Sequence, residues 1–136
     1  MRKIFLSILL ILTTKAFALE QNQYQLVLFF SSKCPYCVKF APIVKAYSLQ
    51  HNLKVEAVSL NHQGLEDFPN PTNATQDMID LAYQGKTVVY PALFLVDLKF
   101  KHLYPVAYGA LSQYELNDRM EKLQSAIIAK KMSREA

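Results

Sequence analysis

The chain has 136 residues, 51% of them hydrophobic, with 15 Lys and Arg against 11 Asp and Glu for a formal net charge of +4. Arg2, Lys3 and Lys15 lie in or beside an apolar run at the N-terminus, and without them the net charge falls to +1, which removes the case for a nucleic-acid partner. The length suits one small domain with a single core, and 2 cysteines are too few for the disulfide framework on which small exported scaffolds depend.

In chain order, the first segment is MRKIFLSILLILTTKAFALEQ. A positive start, an apolar core over residues 4–12 and the small-x-small run Ala16-Phe17-Ala18 form the pattern of a secretory signal cut after Ala18. The apolar core is about half of the roughly eighteen residues that a spanning helix needs. Residues 1–18 are therefore read as a cleaved signal and 19–136 as the exported, periplasmic domain, with an uncleaved membrane anchor as the alternative. No cysteine follows the apolar core, which excludes a lipid anchor on a processed N-terminal cysteine.

Residues 24–30, YQLVLFF, are apolar but for Gln25 and read as a strand covered on both faces. From Cys34 the apolar positions Cys37, Phe40, Ala41, Val44 and Tyr47 recur at helical steps, predicting a helix to about Gln50 that Pro42 should kink. Residues 53–61 predict a second strand, and 62–74, rich in Pro, Asn and Gly, a loop. Thr75 caps a short predicted helix with Met78, Leu81 and Ala82 inward and Gly85 ending it. TVVYPALFLVD predicts a strand broken near its start by Tyr90-Pro91, and KHLYPVAYG another, which Pro105 assigns to a sheet edge or a bulge. Ser112 to Glu115 spell a capping box ahead of a last helix with Leu116, Met120, Leu123 and Ile127 inward. Lys130, Lys131 and Arg134 read as a solvated, frayed end. The first strand, helix and strand make a parallel crossover unit, whereas the last two strands are joined too closely to be anything but antiparallel. The fold class is α/β, with a mixed central sheet and flanking helices.

Cys34 and Cys37, in FFSSKCPYCVKFAPIV, can clip a metal, staple a loop or exchange electrons. A staple across so short a loop removes little chain entropy. A zinc site needs four ligands, and His51, His62 and His102 do not pair with one another at ligand spacing, so no metal is expected. Exchange fits the placement. A thiolate at a helix N-terminus meets free N–H groups and the positive end of the helix dipole, which favours the nucleophilic form of Cys34. Cys37, one turn on, falls on the buried side as the resolving thiol. Between them Pro35 suits the first helical turn, and Tyr36 is expected at the surface.

The strand ending in Phe29-Phe30, the Cys34-Pro35-Tyr36-Cys37 pair and Pro42 eight residues after Cys34 resemble the thioredoxin superfamily over nearly the whole exported chain. The resemblance implies a thioredoxin-like fold with a cis bond at Tyr90-Pro91, leaving the Tyr90 backbone open to a substrate strand beside Cys34. Within the superfamily, CPYCVKFAPIVKA, FPNPTNAT and YPALFLVDLKFKHLYPVAYGAL are most similar to the periplasmic disulfide isomerases of F-type conjugative transfer systems, the TrbB group. That implies disulfide exchange on envelope or secreted proteins during assembly of the transfer apparatus, a type IV secretion system. It also implies a periplasmic or membrane redox partner, and no cofactor beyond the Cys34–Cys37 disulfide. One departure stands out. Cytosolic thioredoxins carry a buried Asp six residues before the first cysteine, where this chain has Leu28, which tilts the reading from general reductase towards oxidase or isomerase. A reductase of the cytochrome c maturation kind and a redox-inactive thioredoxin-fold scaffold are the competing readings.

Overall fold

The computed structural model describes residues 22–136, so the expected signal over residues 1–18 lies outside the described residues. The elements are β1 (Tyr24–Phe30), α1 (Pro35–His51), β2 (Lys54–Ser59), β3 (Thr72–Asn73), α2 (Gln76–Tyr83), β4 (Ala92–Asp97), β5 (His102–Tyr108) and α3 (Gln113–Glu135). They form a five-stranded mixed sheet in the order β3-β2-β1-β4-β5. β1 runs parallel to β2 and antiparallel to β4.

A central strand must be apolar on both faces, and β1 divides its side chains accordingly. Leu26, Leu28 and Phe30 enter a core shared with Phe40 and Val44 of α1 and Leu116 and Met120 of α3. Phe29, flanked by Val27, enters a second core on the other face, with Ala82 and Tyr83 of α2 and Phe94 of β4. α1 runs through Pro42, which is exposed, and ends at Asn52 in the left-handed region (φ 52°).

Three expectations are corrected. Leu81 is exposed, because the inner stripe of α2 is Ile79, Ala82 and Tyr83, a set with the same i, i+3, i+4 spacing. The strand predicted over 87–97 starts only at Ala92, and residues 87–91 form an exposed lead-in up to buried Pro91. The Pro-rich loop contains the two-residue strand β3, which pairs in parallel with Val58 and Ser59. That loop folds back on itself. A side chain at Gly64 would meet the Pro69 carbonyl oxygen at 2.5 Å, so only glycine fits there.

Pro105 occupies both places that its missing N–H allowed. β5 is the sheet edge, and the register slips from Leu93 opposite Ala107 to Phe94 opposite Pro105. Val106 is left over by this bulge, and its carbonyl accepts a bond from Arg119 of α3 at 3.0 Å. α3 begins with the expected capping box, in which Glu115 N–H donates to Ser112 Oγ at 3.2 Å and Ser112 N–H to Glu115 Oε2 at 2.8 Å. α3 stays helical to Glu135, with Lys130, Lys131 and Arg134 exposed to solvent as expected.

Candidate active site

β1 delivers the chain to the dithiol. Its last paired residue opposite β4, Phe29, faces Ala92, the residue that follows Pro91. The antiparallel ladder therefore puts Tyr90-Pro91 at the same end of the sheet as the turn that carries Cys34. The Tyr90–Pro91 bond is cis, and the Pro91 carbonyl accepts from Gly109 N–H at 2.7 Å. Pro91 is buried and Tyr90 is 46% exposed. Among the described residues, the backbone N–H groups of 87–90 donate to no backbone carbonyl.

Cys34 is the N-cap of α1, with extended backbone (φ −89°, ψ 117°). Its N–H donates to the Ser31 carbonyl at 3.1 Å, and its sulfur accepts the Cys37 N–H at 3.4 Å. Negative charge on this sulfur would thus meet a helix-end N–H, and the first turn holds no acidic residue to oppose it. Both thiols are free of a disulfide, Cys34 half-buried and Cys37 only 1% exposed. Burial pushes the Cys37 thiol up to about 12. A bond from the Ser31 backbone acts against that rise, whereas the neighbouring Cys34 thiol adds to it. Leu28 is buried in the core that Cys37 joins, so its position supplies no carboxylate to take the Cys37 proton. Pro35 and Tyr36 are exposed, Tyr36 at 67%.

Two groups of residues that the sequence reading did not single out shape this end of the molecule. Asn61 ties the Cys34 loop to the end of β2. Its Oδ1 accepts from Ser32 N–H at 3.1 Å and shares the Ser59 hydroxyl hydrogen, at 3.1 Å, with the Gln63 carbonyl at 2.8 Å, and its Nδ2 donates to Ser32 Oγ at 2.7 Å. Gln63 completes the network, its N–H donating to Ser59 Oγ at 3.0 Å. Nothing in the local sequence marks Asn61, because Ser32, the partner that ties it to the Cys34 loop, is 29 residues away. Tyr83 lies behind the cis-proline segment. Its hydroxyl donates to the Val89 carbonyl at 2.7 Å, and its ring meets Phe29 and Phe94 edge-on. Its burial raises the phenol, with Tyr108 and Cys37 adding to the effect through their own charge. Tyr83 was legible only as the last member of the α2 stripe.

Among the described residues, no group of three or more His, Cys, Asp or Glu converges as a metal site, and no helix is long and apolar enough to cross a membrane.

The family model described as TraF, the F plasmid transfer operon protein, matches residues 12–121. The chain belongs to that family. Protein TrbB of Escherichia coli K12 is 30% identical over 87 residues, which are 64% of this chain and 48% of that protein. The chain spans about half the length of this curated relative. Two solved structures are similar in shape. One is a thioredoxin-family thiol:disulfide interchange protein from Chlorobium tepidum, with TM-score 0.56 and 18% identity over 76% of this chain and 81% of that one. The other is StoA from Bacillus subtilis, with TM-score 0.53 and 21% identity over 74% and 84%. They establish the thioredoxin-like fold. Family membership relates the chain to conjugative transfer.

Proposed function

We propose that this TraF-family chain is a periplasmic protein thiol–disulfide oxidoreductase that acts chiefly as a disulfide isomerase. In this reading Cys34, as thiolate, attacks one sulfur of a substrate disulfide, which forms a mixed disulfide and releases the other substrate sulfur as thiolate. Two outcomes balance the electrons. If a substrate thiolate attacks the substrate sulfur held by Cys34, a rearranged substrate disulfide leaves and Cys34 returns as thiolate. If instead Cys37 gives up its proton and attacks Cys34 Sγ, the substrate departs as a dithiol and Cys34–Cys37 becomes a disulfide, which a periplasmic or membrane thiol partner must reduce.

The single observation that carries the isomerase reading is the burial of Cys37 without a base. With its thiol pushed up to about 12, Cys37 stays protonated at pH 7. Forming the mixed disulfide removes the Cys34 contribution, but burial, the larger cause, remains. Slow resolution leaves time for rearrangement. The exposed 87–90 backbone and Tyr90-Pro91 would hold the substrate segment by strand pairing, beside exposed Tyr36. The same ends suit disulfide-bonded envelope proteins and components of a conjugative or type IV secretion apparatus. The chemistry needs no cofactor other than the dithiol.

Trapping in intact cells tests the reading. A Cys37→Ala chain should accumulate mixed disulfides that vanish when Cys34→Ser is added, and the native dithiol should be mostly reduced. A mostly oxidised pair would make the chain an oxidase. No trapped protein from a folded Cys37→Ala chain would overturn exchange altogether.

A further inference from the structure

The pole opposite the dithiol combines basic and apolar side chains. β1 rises about 3.3 Å per residue, so its seven residues put this pole about 20 Å from the Cys34 loop. The β4–β5 turn carries Leu98, Lys99, Phe100 and Lys101, and the end of α3 brings Lys130, Lys131 and Arg134 beside it. Between them runs an open groove of about 360 Å³, floored by Tyr24, Tyr104 and Ile127.

Two observations narrow what this surface meets. First, its cations are unpaired. Among the described residues the one ion pair is Lys122–Asp118, far along α3 from the turn. Of the nearby carboxylates, Asp97 is buried and held by the Lys99 and Phe100 N–H groups at 2.9 and 3.0 Å, so Glu135 is the exposed acid of the groove. Second, the basic residues alternate with exposed apolar ones. Phe100 is 65% exposed with Lys99 Nζ at 5.4 Å from its ring centre, and Leu98 is 38% exposed. A soluble polyanion has no use for an exposed Phe at the tip of a turn, whereas a bilayer surface takes the ring into its acyl boundary and the ammonium groups at its headgroups.

We propose that this pole docks on an anionic bilayer surface, with Lys99, Lys101, Lys130, Lys131 and Arg134 on lipid phosphates and Phe100 at the acyl boundary. Docked so, the dithiol points away from the membrane. The proposal stands independently of the exchange chemistry.

Vesicle flotation tests it with the exported chain, residues 19–136, whose described part carries the complete sheet and both cores. The chain should float with phosphatidylcholine vesicles containing about a third phosphatidylglycerol and be released on raising salt from about 0.05 to 0.5 M, where the Debye length shrinks several-fold. Each lysine or arginine near such a surface is worth about five-fold in partitioning, so Lys130→Gln/Lys131→Gln/Arg134→Gln should lose about a hundred-fold. Phe100→Ser should lose about ten-fold. Lys39→Gln/Lys86→Gln, which removes two charges elsewhere, should change partitioning little. The proposal fails if the chain ignores anionic vesicles at low salt, binds pure phosphatidylcholine equally, or loses as much with Lys39→Gln/Lys86→Gln. Displacement from vesicles by soluble polyglutamate, with Phe100→Ser silent, would mark an acidic-peptide site and overturn the lipid assignment.

Discussion

Replacing Asn61 with Ala removes the two hydrogen bonds that join the Cys34 loop to the end of β2, from Ser32 N–H to Oδ1 and from Nδ2 to Ser32 Oγ, and one of the two acceptors that share the Ser59 hydroxyl hydrogen. The loss is less than three full bonds. Ser59 Oγ keeps its donation to the Gln63 carbonyl at 2.8 Å, and Ser32 Oγ keeps Gln63 Oε1 at 3.0 Å. The Ser32 N–H, half-buried, has no substitute. At about 1 kcal/mol per net bond, with one donor left wanting, the cost is about 2 kcal/mol. In urea that moves the unfolding midpoint by about 1 M. Asn61→Asp keeps both accepted contacts and should cost under about 1 kcal/mol, but it adds a negative charge against Ser32, two residues before Cys34. Thiol alkylation separates the two effects. Asn61→Ala loosens the Ser31–Lys33 turn, whose Ser31 carbonyl holds the Cys34 N–H, and should alter the pH profile of Cys34 alkylation. Asn61→Asp should slow it at neutral pH while leaving the fold near wild-type stability. The reasoning is refuted if Asn61→Ala moves the midpoint by less than about a quarter of that shift and its alkylation profile overlays the wild type.

Three further outcomes follow from the same structure. The Cys37 thiol, raised to about 12 in the folded chain, ionises near its ordinary value when unfolded, so its contribution is intact below about pH 9 and declines as pH rises towards 12, by up to about 1.4 kcal/mol per unit. Under reducing conditions, Cys37→Ala should flatten the fall in stability measured between about pH 9 and 11, and equal slopes would contradict the buried-thiol assignment. Tyr83→Phe keeps the ring among Phe29 and Phe94 but frees the Val89 carbonyl, so it should cost at most about 1 kcal/mol while hydrogen exchange over 87–90 quickens. Unchanged exchange there would remove Tyr83 as the anchor of that segment. At Asp97, burial works to raise the carboxyl, yet the N–H groups of Phe100 and Lys99 and the side chains of Gln23 and Tyr24 outweigh it and hold the carboxyl below its usual value. That stability is present above the ordinary carboxylate value and is lost as pH falls below it through the lowered one. Asp97→Ala should therefore cost about 2 to 3 kcal/mol at pH 7 and less at pH 3, read from urea midpoints.

Much of the fold and the dithiol was legible because the governing physics is local. β1 spans the residues predicted because a strand buried on both faces is apolar at all but one of its positions, Gln25, and the capping box at Ser112 is written in four adjacent residues. Cys34 at the mouth of α1 and Cys37 on its buried side follow from helical spacing alone. Where two local solutions tie, the sequence cannot choose. The stripes of α2 through Leu81 and through Tyr83 are equally periodic, and only the second presents its aromatic ring to Phe29 and Phe94 across the sheet. β3 is two residues long and exists only because Ser59 is there to pair with it. Asn61 and the basic pole are decided entirely at the tertiary level. Hydrogen bonds over 29 residues, and five cations gathered from a turn and a helix end, depend on where the sheet brings distant segments together, which no window of sequence contains.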